Sequence, residues 1–172
     1  MFGAKRSGKS NLVSRLCFDH YAGTYEETVG IDFSCKTIKR SNKNIKLQFW
    51  DLECSENNTE GFRNLITKGA IIILFVYSIV DALSFEYIER EIAIMEGKEF
   101  ISPQTMKVIV GTKTDMRENQ KVDSQRAQEF AISKNSLFVE VSAKDRSGIE
   151  NLVSEMGSMI IQMVEAMESG KH

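Results

Sequence analysis

The sequence is sparing with the residues that most quickly narrow a protein's class. Proline occurs once, at Pro103, and cysteine three times, at Cys17, Cys35 and Cys54. Three dispersed cysteines are an odd number for a disulfide framework and too far apart for a zinc knuckle, so they imply a reducing compartment. With no signal peptide, the expected location is cytoplasmic. The longest apolar run is Ala70 to Tyr77, far below the ~20 residues of a membrane span. Met167 to His172 holds no cysteine to carry a prenyl group, so peripheral membrane attachment would need a lipidated tail outside this chain. Charge of one sign is lacking as well. With 22 basic and 24 acidic side chains the net charge is -2, which gives no general attraction to nucleic acid or anionic lipid.

What is present suits a single domain over residues 1–172, large enough to bury one core. Apolar and helical spacing alternate along it. Ser7 to His20 sets Leu12, Val13, Leu16 and Cys17 on one helical face. Phe33 to Lys39 and Asn44 to Leu52 alternate apolar with polar around Arg40-Ser41-Asn42-Lys43, the pattern of an antiparallel hairpin. Ala70 to Tyr77 and Met106 to Val110 read as strands covered on both faces. Ser84 to Met95, Gln125 to Ser133 and Ile149 to Met167 read as helices, with a strand at Leu137 to Val141. Strands alternating with helices predict an α/β fold in which a mostly parallel, six-stranded sheet is flanked by helices. The first strand is the exception, because only Met1 and Phe2 precede Gly3 where a strand of ~5 residues belongs.

Gly3-Ala-Lys-Arg-Ser-Gly8-Lys9-Ser10 fits G-x-x-x-x-G-K-[ST] and runs straight into a helix. Backbone N–H groups of such a loop ring phosphates, the helix N-terminus adds partial positive charge, Lys9 reaches the outer phosphate oxygens and Ser10 binds Mg2+. Downstream, Thr112-Lys113-Thr114-Asp115 and Ser142-Ala143-Lys144 close two consecutive strands. The Asp115 carboxylate suits the N1 and 2-amino donors of guanine, the Lys113 stem covers the base plane, and backbone N–H groups around Ala143 face O6. Adenine would leave those groups unpaired, which is a strong basis for discrimination.

With these motifs in this order, the chain resembles a Ras-superfamily small GTPase of the Rab branch over nearly its whole length. Val29 to Phe33, Lys46 to Trp50, and Lys68-Gly69-Ala70 followed by Phe75 to Tyr77 resemble Rab segments. The resemblance implies a P-loop NTPase fold and GTP or GDP with Mg2+. It places Gly3, Lys5, Arg6, Ser7, Gly8, Lys9, Ser10, Asn11, Tyr21, Thr28, Thr112, Lys113, Asp115, Met116, Ser142, Ala143 and Lys144 around the nucleotide. Ser10, Thr28 and Asp51 would serve the metal, hydroxyl and carboxylate oxygens that suit a hard cation. The implied partners are an exchange factor, an activating protein and effectors, with the chain itself a monomer.

The second switch departs from the family. Where the family has D-T-A-G-Q-E, this chain has Asp51-Leu-Glu-Cys-Ser-Glu56. Cys54 replaces the flexible glycine, and Ser55 replaces the glutamine that orients attacking water. Loss of such a preorganised contact costs about 3 kcal/mol of transition-state stabilisation. Glu53 adds a carboxylate near the γ-phosphate position, where like charges repel, and Lys5 is its candidate partner. Asn57-Asn58 stand where the family carries aromatic and basic residues. Three readings remain open: a GTPase switch with slow or partner-dependent hydrolysis, a nucleotide-binding interaction module with no useful hydrolysis, and a truncated product that does not fold.

Overall fold

In the computed structural model, residues 1–23, 28, 30–52 and 60–169 are described. The segment holding Glu53, Cys54, Ser55, Asn57 and Asn58, the signature residue Val29, and residues 170–172 lie outside the described residues.

The helix α1 (Lys9–Phe18) is followed by β1 (Ile31–Arg40) and β2 (Lys43–Leu52). These two strands form an antiparallel ribbon in continuous register from Ile31 opposite Leu52 to Arg40 opposite Lys43. Only Ser41 and Asn42 turn the chain, both at positive φ. That is a two-residue turn whose twist matches the strands, tighter than the four-residue turn the pattern suggested. Next come α2 (Glu60–Thr67), β3 (Ile72–Ser78), α3 (Ala82–Gly97), β4 (Met106–Thr112), α4 (Ser124–Ser133), β5 (Leu137–Glu140) and α5 (Ile149–Ser169), with a short 3-10 segment at Thr114–Asn119. Strands β3, β4 and β5 pair in parallel, in that order.

Side chains on β3 point alternately to the two faces. Ile73, Phe75 and Tyr77 join Phe85, Ile88, Ile92, Ala127 and Ala131 from α3 and α4. Leu74 and Val76 join Leu12, Leu16, Leu152 and Met156 from α1 and α5. Two buried cores therefore sandwich one sheet, as the alternation of elements predicted.

The expected six-stranded sheet is not seen among the described residues. A two-stranded ribbon and a three-stranded parallel sheet stand on either side of the place where one more strand belongs. The residues there are Met1 and Phe2. Phe2 makes one parallel bridge to Phe75, donating its N–H to Leu74 O at 2.9 Å and accepting from Val76 N at 2.7 Å. Met1 donates its amino group to Trp50 O at 2.7 Å. One rung thus ties ribbon to sheet, too little backbone for a strand in its own right.

Candidate nucleotide site

The loop from Gly3 to Gly8 leaves the Phe2 rung and enters α1. Arg6 and Gly8 take positive φ, 61° and 95°, and Gly8 caps the helix in the left-handed region where glycine carries no steric penalty. A Cβ on Gly3 would lie 2.1 Å from Val76 O, so the loop lies flat against β3 only because that position is glycine. Lys9 is buried and folds its ammonium back, donating to Gly3 O at 2.9 Å and Ala4 O at 3.1 Å. The loop therefore curls round a cation, with the first N–H groups of α1 at its mouth. Ala4 O accepts from Ser7 N, Lys5 and Arg6 are exposed on the outer side, and Asn11 is half-buried on α1.

The loop is fastened from behind. Thr112 Oγ1, at the end of β4, sits 2.5 Å from Ser7 O and 2.9 Å from Tyr77 O. Lys113, at φ 65°, reaches across and donates to Arg6 O at 2.7 Å. Burial lowers the pKa of its ammonium, with Asp81 and Asp115 opposing that shift. The stem of Lys113 thus spans from the end of β4 to the loop that enters α1.

Beyond the ends of β4 and β5, Ser142 Oγ donates to Asp115 Oδ1 at 2.7 Å and accepts from the N–H groups of Lys144 and Asp145 at 3.1 and 3.2 Å. Lys144 Nζ stands 3.8 Å from Asp115 Oδ2. The two tetrapeptides on consecutive strand ends are thereby joined, and the carboxylate is oriented with acceptor capacity to spare. Met116 is exposed beside it, and Tyr21, three residues after α1, is half-buried.

Ser10, Thr28 and Asp51 come from three separate parts of the chain. Ser10 Oγ lies 2.9 Å from Thr28 Oγ1, which lies 3.5 Å from Asp51 Oδ2. Asp51 is 2% exposed, and its Oδ1 is buried without a hydrogen-bond partner. A buried carboxylate oxygen left unpaired is costly unless something cationic meets it. An all-oxygen donor set with an unsatisfied carboxylate fits Mg2+, which binds through one or two carboxylates and keeps waters. Among the described residues no group of three or more His, Cys, Asp or Glu side chains is placed to hold a metal ion.

Two contacts that hold this site were not legible beforehand. Arg15 on α1 donates from Nε to Ala143 O at 2.6 Å, and Thr114 and Ser147 hydroxyls meet at 3.0 Å. Both pairs are distant in sequence, and neither residue type sits in a pattern that would single it out.

The model of the Ras family matches residues 1–162. The chain is 31% identical over its full length to the Ras-related protein RABD2a of Arabidopsis thaliana, of which it covers 83%. It is 32% identical to the Ras-related protein Rab-13 of Rattus norvegicus, over 99% of this chain and 82% of that one. With the Ras-related protein Rab-1 of Theileria parva it shares 33% over 87% of this chain and 67% of the other.

Proposed function

The chain belongs to the Ras family, and from that premise we propose that it is a Rab-like protein that holds GTP or GDP with Mg2+ and cleaves GTP slowly, serving vesicle traffic. The observation that carries the nucleotide reading is the fastening of Asp115 by Ser142 while Lys113 bridges to the phosphate loop at Arg6 O. Base reading and phosphate binding would then share one braced cleft. Residues 1–172 act as one domain in this proposal.

Each part of the cleft has a task. Backbone N–H groups of the Gly3–Ser10 loop receive phosphate oxygens. Lys9 exchanges its carbonyl partners for them, its ammonium being already desolvated and aimed. Asp115 accepts the two guanine donors, Lys113 covers the base, and Tyr21 and Met116 border it. Ser10, Thr28 and Asp51 hold Mg2+, whose charge offsets that of the phosphates. In such a site hydrolysis depends on a group that orients water, and Ser55 is too short to span water and phosphate together.

A single-turnover assay of phosphate release, with wild type and Ser55→Gln, tests the cleavage claim. A rate rise of about tenfold or more in the variant supports it, and equal rates contradict it. The exposed faces of Phe33 and Trp50, ring centroids 5.1 Å apart, suit recognition by effector proteins, since 46% and 54% of those residues face outward.

A fixed-surface binding module is favoured by one observation. Arg63 on α2 grips Glu91 on α3 through two bonds of 3.0 and 2.9 Å, pinning the helix that follows the second switch. Equal affinity of a partner for the GDP and GTP forms would support that reading over a switch.

A further inference from the structure

Arg15 stands in the last turn of α1, yet its side chain does not run out to solvent and is only 10% exposed. It donates in two directions. Nε bonds Ala143 O at 2.6 Å, while Nη1 bonds Asp19 O at 2.6 Å and Asp19 Oδ1 at 2.9 Å. Asp19 caps the C-terminal end of α1 at φ 54°, and its second oxygen, Oδ2, accepts from Arg146 Nη2. The helix that carries the phosphate loop therefore fixes the guanidinium in place and turns one charged donor toward the loop after β5.

What Arg15 holds is the peptide group between Ala143 and Lys144. A peptide is planar, so a bond at each end fixes the orientation of the whole plane. Its carbonyl oxygen is taken by Arg15 Nε. Its N–H, on Lys144, donates to Ser142 Oγ at 3.1 Å, and that hydroxyl donates in turn to Asp115 Oδ1 at 2.7 Å. One residue before Ala143, the Ser142 N–H is bonded to Ser147 O at 2.9 Å. The backbone is thus anchored on both sides of the Ala143 N–H. A continuous chain of hydrogen bonds runs from Asp19 through Arg15, Ala143 O, Lys144 N–H and Ser142 to the Asp115 carboxylate. Ser142 and Asp115 belong to sequence motifs, whereas Arg15 and Asp19 belong to none.

We propose that Arg15 is a positioning residue for guanine: by holding Ala143 O it orients the neighbouring Ala143 N–H toward O6 of the base, and Asp19 in turn orients Arg15. The proposal rests on the guanine reading given above and adds to it residues outside the nucleotide motifs. A donor aligned before the ligand arrives loses little free energy to ordering on binding. Without Arg15 the peptide plane is held at one end only, Ala143 O loses its charged partner, and the N–H beside it must be ordered by the ligand itself.

The test compares wild type with Arg15→Ala and Asp19→Asn, the second chosen because asparagine keeps the side-chain shape and accepts the left-handed backbone of a helix C-terminus. Each is titrated calorimetrically, in Mg2+, with GDP and with 2-aminopurine riboside diphosphate, which keeps the 2-amino donor and has hydrogen in place of O6. Arg15→Ala is expected to weaken GDP about tenfold or more and the analogue less than about twofold. Asp19→Asn is expected to show the same selective pattern at about threefold, and decides alone if Arg15→Ala does not fold. In the nucleotide-free chain, hydrogen exchange at the Lys144 amide should quicken in both variants while that at Val141, bonded to Gly111 O, stays as in wild type. Equal losses for both diphosphates, no loss of GDP affinity, or unchanged exchange at Lys144 would each overturn the proposal while leaving a guanine-selective wild type intact. A wild type that binds GDP no more tightly than ADP would overturn the guanine reading and this proposal with it.

Discussion

At the scale of single residues, the site depends on a few atoms whose environment leaves them one use. Asp51 Oδ1, buried and unpaired, predicts that Asp51→Asn weakens nucleotide binding at least tenfold in Mg2+ and has little effect in EDTA, measured by displacement of a fluorescent GDP. A loss equal under both conditions would make the carboxylate structural only. Asp115→Ala removes an ionic acceptor and should cost about 2–3 kcal/mol of GDP affinity while leaving the weak affinity for ADP unchanged. Gly3 was legible in the sequence as a loop glycine, but the reason it must be glycine was not. The 2.1 Å approach to Val76 O depends on β3, a strand far along the chain. Gly3→Ala should accordingly lower thermal stability by several degrees, on the scale of ~1 kcal/mol or more for overpacking against backbone, a shift that scanning calorimetry resolves.

At the scale of elements, the strands and helices that form continuous apolar or 3.6-periodic runs were legible to within two or three residues, because burial on both faces leaves little room for other patterns. Helix α2 was not, since Phe62, Leu65 and Ile66 span barely one turn and give too short a period to read. Its anchor is tertiary: Glu91, 2% exposed, receives both bonds from Arg63. Removing one partner of such a pair strands a buried charge, which costs about 3–5 kcal/mol. Arg63→Ala is expected to destabilise by that amount in urea titration, and the paired change Arg63→Met with Glu91→Leu to recover most of it. Similar losses in both variants would mean that packing, not charge, secures the helix. The sequence reads as a six-stranded sheet with its first strand cut short, and the structure has a single rung at Phe2 in that place.

At the scale of the whole molecule, the ribbon, the sheet and the phosphate loop meet at Met1 and Phe2, so stability and function share a junction. The order of motifs along the chain made the nucleotide cleft legible in advance, while the tie from Arg15 to Ala143 O, between residues far apart in sequence, was not. The central claim is that one cleft reads guanine and holds magnesium-bound phosphates. Calorimetric titration of the nucleotide-free chain with GDP and with ADP, each in Mg2+, tests it most directly. The account predicts GDP binding at least a thousandfold tighter than ADP, and comparable affinities, or no binding of either, would contradict it.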